Sequence, residues 1–123
     1  QACAYDPAYS QFVIDPYLVP AGIKCVPHRP GAISMGPPTK RFEEMVKRGL
    51  IAHGNHPMLN EAVNGAILHT PDKAGNRYPS KEKSTSRIDP LIATIMATGW
   101  CCDPPVELKG TGAWSGKGTG AFG

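Results

Sequence analysis

The chain has 123 residues, enough for one domain, and its 41% hydrophobic content permits a core. Fourteen Gly and 13 Pro forecast many turns, while a net charge of +3 and a pI near 8.7 suit a nucleic-acid partner without requiring one. No apolar run approaches the ~20 residues of a membrane span, and no charged start followed by a hydrophobic stretch marks a secretory signal.

Residues 2–5 form a short apolar strand, which Asp6-Pro7 ends. A helix is predicted over 8–18, with Phe12, Val13 and Tyr17 as its apolar face and Asp15-Pro16 disturbing it. Residues 23–27 alternate and read as a second strand. The Pro- and Gly-rich stretch 28–36 reads as a loop. Thr39 is placed to cap a helix over 40–48, with Glu43 and Glu44 early and Lys47-Arg48 late, the order the helix dipole favours. Phe42, Met45 and Val46 form its inner face, and Gly49 stops it.

Beyond Gly49, residues 50–53 read as a short strand, 57–64 as a short helix and 66–70 as a strand that residues 72–75 turn back as a hairpin. Residues 79–86 are polar and basic. A last helix is predicted over 87–99 from the stripe Ile88, Leu91, Ile92, Ile95, Met96 and Gly99. Pro104-Pro105 break it, and residues 110–123, mostly Gly, Ser, Thr and Ala, read as a flexible tail. The organisation is therefore one domain over 1–102 and a tail over 103–123. Gln1-Ala-Cys-Ala-Tyr5 reads like a strand interior, so further strands are expected upstream. The strand-helix-strand opening predicts a parallel pair, and the alternation of elements predicts an α/β fold with helices packed on a central sheet.

Cys3, Cys25, Cys101 and Cys102 show no C-x-x-C spacing and no His at zinc-finger spacing. Cys3 and Cys25 read as buried small hydrophobes, and the set reads as that of a reducing, intracellular protein. His53 and His56 are three apart but flank the turn residues Gly54-Asn55, which favours a loop over a metal pair. His28 and His69 have no partner in the sequence. Gly112-Ala-Trp-Ser-Gly-Lys-Gly118 mimics a phosphate loop, but it has three residues between its glycines where four are needed, and Gly118 follows the Lys. No ATP site is expected in this chain. No G-x-S-x-G motif is present.

Asp6 and Asp89 each allow two readings. Asp6 stands where a strand gives way to a helix, the end at which open sheets gather ligands, but with Pro7 it also suits a helix cap. Asp89 in the first turn of the last helix, followed by Pro90, is either a cap or a metal ligand held by a buried helix. Ahead of it, Lys81, Lys83, Ser84, Thr85 and Arg87 offer groups that contact DNA phosphates or that simply line a solvated face. Arg77, Lys73 and Lys40 are weaker candidates.

From Ala4 to Gly99 the chain resembles the C-terminal nuclease domain of the phage terminase large subunit, on five pieces in order. These are Ala4-Tyr-Asp-Pro7, Ser34-Met-Gly-Pro-Pro-Thr-Lys40, Gly49-Leu-Ile-Ala-His-Gly-Asn-His-Pro-Met-Leu59, Asn64 with Asp72-Lys-Ala-Gly-Asn-Arg77, and Lys81-Glu-Lys-Ser-Thr-Ser-Arg-Ile-Asp89. Two places depart from the pattern. His28-Arg29-Pro30-Gly31 stands where the family has a Gln-Gly turn, and Glu61-Ala62 where it has an aromatic.

The resemblance implies the C-terminal half of a ribonuclease-H-like fold and a metal-dependent DNA endonuclease. Asp6 and Asp89 are its implied catalytic metal ligands, sharing Mg2+ or Mn2+ in a two-metal site, with a further acid upstream of Gln1. Two cations stabilise the charge that phosphodiester hydrolysis places on the attacking and leaving oxygens, and hard carboxylates suit such ions. The implied substrate is concatemeric double-stranded DNA, cut for packaging into procapsids. The implied partners are the small terminase subunit, the portal protein and other large-subunit copies, with no membrane, in the cytoplasm of an infected or lysogenic bacterial host. Another ribonuclease-H-like nuclease, of resolvase or transposase type, and a non-catalytic DNA-binding or docking prophage remnant are the alternatives.

Overall fold

The computed structural model describes residues 2–69 and 71–103, so the expected tail lies, from residue 104 onward, outside the described residues. The chain divides into two compact units, Gln1–Pro30 with the residues from Trp100 onward, and Gly31–Gly99.

In the first unit β1 (Ala2–Tyr5) and β2 (Lys24–Pro27) pair in parallel, as the strand-helix-strand pattern predicts. The register runs Ala2↔Lys24, Cys3↔Cys25, Ala4↔Val26 and Tyr5↔Pro27. The two cysteines are thus cross-strand partners, half-buried instead of fully buried. The His28 amide donates to the Tyr5 carbonyl at 2.7 Å, which closes the last pair of the ladder, Tyr5↔Pro27.

The connection between these strands departs from the predicted helix over 8–18. One α-turn, α1 (Gln11–Val13), widens into a π-helical segment over Ile14–Leu18. Pro16 has no N–H to continue an α-ladder. The wider pattern takes over, with the Val19 amide on the Ile14 carbonyl and the Ile23 amide on the Leu18 carbonyl. The change of pitch rotates the inner face: Ile14 is buried, while Phe12, Val13 and Tyr17, the predicted apolar face, are exposed.

The second unit is built on α2 (Ala32–Lys47), α3 (Pro57–Gly65) and the greater part of α4 (Asp89–Cys102). α2 starts eight residues before the predicted 40–48, inside the predicted loop, and carries Pro37 and Pro38 within it. Each proline removes one amide donor, a cost that tertiary burial offsets here: Met35 is fully buried one turn ahead of them. Thr39, predicted as a cap, therefore sits in mid-helix, buried, with its Oγ1 lacking a hydrogen-bond partner.

α2 ends as Gly49 forecasts. Gly49 takes φ +65°, its amide donates to Val46 and the Leu50 amide donates to Met45, the paired bonds of a Schellman motif. Residues 50–53 form no strand. The predicted strand over 66–70 is reduced to an isolated antiparallel bridge, Leu68↔Pro79, flanked by bonds from the His69 amide to Tyr78 and from the Ser80 amide to Ile67. The turn at 72–75 is present: Asp72 Oδ1 accepts from the Ala74 and Asn76 amides, both at 2.9 Å. Pro79 has no donor to extend the ladder. The result is a mixed helix–strand fold with one two-stranded sheet among the described residues, smaller than the central sheet expected from the sequence.

α4 is apolar on most of its circumference, with Leu91, Ile95 and Met96 buried. Its hydroxyls are satisfied within the helix, Thr94 Oγ1 donating to Pro90 and Thr98 Oγ1 to Thr94, both at 2.8 Å. At Gly99 the helix meets α2 so closely that a Cβ would lie 2.7 Å from the Pro38 Cβ.

Two outcomes follow. Thr39→Val removes an unpaired buried hydroxyl at nearly constant shape and should raise stability by about 1 kcal/mol in urea unfolding. Were Thr39 the helix cap, the same change would lower stability by about 1 kcal/mol. Gly99→Val overlaps a rigid proline ring and should cost about 1–3 kcal/mol in the same measurement.

Candidate functional site

The elements place Asp6 and Asp89 in different settings, each open to solvent on one side. Asp6 is the first residue after β1, half-buried, and its Oδ1 accepts from the Ala8 amide at 3.0 Å. The carboxylate thus closes the turn that follows the strand through one oxygen, and the helix begins only at Gln11, so Asp6 is not a helix cap. Asp89 is the first residue of α4, with Pro90 behind it, and its acidic side chain suits the helix N-terminus. Its carboxylate is exposed and ion-paired with Lys81 Nζ.

The basic stretch before α4 separates into two groups. Lys83 and Arg87 are exposed. Ser84 and Thr85 are used internally. Ser84 Oγ accepts from the Ile67 amide at 3.0 Å and donates to the Ser80 carbonyl, and Thr85 uses its amide and its hydroxyl on the Gly65 carbonyl, at 3.0 and 3.3 Å. These bonds fasten residues 80–85 to the end of α3 and the start of the hairpin. Lys81 is held by Asp89. Of the weaker candidates, Arg77 is paired with Glu43 at 2.9 Å.

The histidines read from the sequence as ordinary differ from one another. His53 and His56 are exposed, and His56 is the N-cap residue of α3. His69 stacks on Tyr78 across the hairpin, ring centroids 5.2 Å apart. His28 is the histidine with the most constrained ring. It follows β2 as Asp6 follows β1, each one residue past the last register pair Tyr5↔Pro27. Its Nδ1 accepts from the Trp100 indole N–H at 3.2 Å, and its Nε2 is buried without a partner. Burial pushes the imidazole below its usual pKa, an effect the Asp6 carboxylate partly opposes. The signal available in the sequence was positional: both residues sit one step past a four-residue strand.

The donor chemistry fits a hard cation one ligand at a time. Asp89 already holds an ammonium, and Asp6 has an oxygen beyond the one bound by the Ala8 amide. Among the described residues no cluster of three or more His, Cys, Asp or Glu assembles a complete metal site.

Ser84→Ala should therefore lower stability by about 1–2 kcal/mol in urea unfolding, since it leaves the Ile67 amide without its acceptor. Lys83→Ala should stay within about 0.5 kcal/mol of the parent.

The large terminase subunit of Enterobacteria phage HK97 is 36% identical over 90 residues, which is 72% of this chain and 18% of that protein. The crystal structure of the HK97 large terminase superposes with a TM-score of 0.66 at 31% identity, covering 80% of this chain and 21% of that one. The chain thus spans about a fifth of the length of these relatives. The family model of the terminase large subunit endonuclease domain matches residues 1–103, and the chain belongs to that family.

Proposed function

We propose that this chain is the DNA-cutting portion of a viral packaging terminase, a metal-dependent endonuclease of ribonuclease-H-like fold that cleaves concatemeric double-stranded DNA for delivery into procapsids. The match of residues 1–103 to an endonuclease family carries this reading. The similarity to the HK97 large terminase supports it. A phosphodiester carries negative charge that grows on the attacking and leaving oxygens during hydrolysis. Mg2+ or Mn2+ would supply the compensating charge and lower the pKa of the attacking water.

Asp6 and Asp89 are the catalytic metal ligands of this reading. Each presents carboxylate oxygens of the hard type such cations prefer, and other acids of the full-length protein complete their coordination. Lys81 is ion-paired with Asp89. A cation held by the carboxylate would leave the ammonium available to a DNA phosphate. Lys83 and Arg87, both exposed, meet the DNA backbone directly. Ser84 and Thr85 act by holding this basic stretch in place. The partners of the full-length protein are the small terminase subunit, the portal protein and further large-subunit copies, in the cytoplasm of an infected or lysogenic bacterium.

The test is cleavage of supercoiled plasmid by the chain in Mn2+. Asp6→Asn and Asp89→Asn should each lower the rate on the order of a hundredfold or more. Cleavage that survives both substitutions contradicts the assignment. A folded chain that binds DNA without cutting it, indifferent to both substitutions, favours the non-catalytic remnant. Lys83→Ala should weaken DNA binding for all sequences alike and reduce the salt-dependence slope by about one.

A further inference from the structure

His28 combines three features that its sequence position does not announce. First, it is fixed in place: its amide closes the β1–β2 ladder on the Tyr5 carbonyl at 2.7 Å. Tyr5 and Pro27 are the last register pair, and Asp6 and His28 are the residues that directly follow them on the two strands. Second, its tautomer is determined. An indole N–H only donates, so the Trp100 contact at 3.2 Å requires a lone pair on His28 Nδ1. The proton of the neutral ring must then reside on Nε2. Third, that Nε2–H is buried and has no acceptor among the described residues. Buried donors are seldom left unpaired, and those that are call for an explanation.

Asp6 is the acidic residue at the same end of the paired strands as His28. One of its oxygens is taken by the Ala8 amide, and the carboxylate acts electrostatically on the imidazole. Metal-binding carboxylates are regularly steadied by a further hydrogen bond that fixes the direction of their lone pairs. We infer that His28 is the positioning residue for Asp6: held in the Nε2–H form by Trp100, it donates to the Asp6 carboxylate when that group engages a divalent cation, and so fixes the angle at which Asp6 binds. This role rests on Asp6 being a cation ligand, as in the reading above. It gives His28 no contact with DNA and no place in proton transfer.

The full chain, labelled with 15N, tests the inference in two steps. In the metal-free protein the His28 ring nitrogens should show the pattern of the Nε2–H tautomer, and Trp100→Phe should abolish that bias. A His28 proton on Nδ1 in the wild type overturns the proposal, and this step needs no variant that could misfold. Mn2+ titration, read as paramagnetic broadening of the Asp6, Pro7-flanking and Ala8 resonances, then gives the half-saturation concentration. His28→Phe should raise it about tenfold, the lower end of what such supporting bonds are worth. His28→Gln, which returns a donor, should recover most of that loss. Equal half-saturation in wild type and His28→Phe, with Asp6→Asn still abolishing broadening, overturns the role of His28 alone. Broadening unchanged in Asp6→Asn overturns the cation reading and this inference with it.

Discussion

The hydrogen bond from the His28 amide to the Tyr5 carbonyl is a single backbone contact, and it closes the last pair of the first unit's ladder, Tyr5↔Pro27. Asp6 and His28, 22 positions apart in sequence, are thereby the first residues to leave the two paired strands at the same end. The connection between the strands must close without disturbing this register. It does so by giving up α-helical pitch at Pro16 and closing on i to i−5 bonds, which leaves Ile14 as the buried anchor. The carboxyl end of a parallel pair is where α/β proteins commonly place ligand-binding groups, because the chain leaves the sheet there and side chains are freed from the ladder.

The second unit solves a different problem, that of holding one carboxylate at the start of an apolar helix. α4 is fixed by Leu91, Ile95 and Met96 in the core and by the approach of Gly99 to Pro38 on α2. The stretch ahead of it has little regular structure and is held by side-chain hydroxyls: Ser84 bridges the Ile67 amide and the Ser80 carbonyl, and Thr85 holds the end of α3. Hydroxyls that looked like phosphate contacts in the sequence are thus part of the frame that presents Lys83 and Arg87. The surface pair Lys81–Asp89 contributes little to stability, being exposed and screened. In the proposed reading its consequence lies in occupancy, since a cation would compete with the ammonium for the carboxylate.

Much of this was legible in the sequence where the governing forces are local. The alternation of 23–27, the stop at Gly49, the turn at Asp72 and the apolar stripe of α4 all declare themselves within a few residues. The order of the five motifs was legible as well, and it led to the family. The sequence was opaque where distant burial outweighed local preference. Residues 28–36 read as loop for their Pro and Gly content, and nothing nearby reported that Met35 would be fully buried in a helix running on through Pro37 and Pro38. Thr39 was misplaced for the same reason. Phe12 and Tyr17 were assigned to the inner face because the expected 3.6-residue period failed at the π-helical turn. Lys81–Asp89 and His28–Trp100 depend on chain paths that no periodicity encodes.

The central claim is that the carboxylates of Asp6 and Asp89 bind divalent cations. Oxidative affinity cleavage measures this directly: Fe2+ is bound in place of Mg2+, ascorbate and peroxide are added, and the sites of backbone scission are read by mass spectrometry. Scission confined to the neighbourhoods of residues 6 and 89, and suppressed by excess Mg2+, is the expected result. Scission elsewhere, or scission at those two places that Mg2+ fails to suppress, would contradict the account.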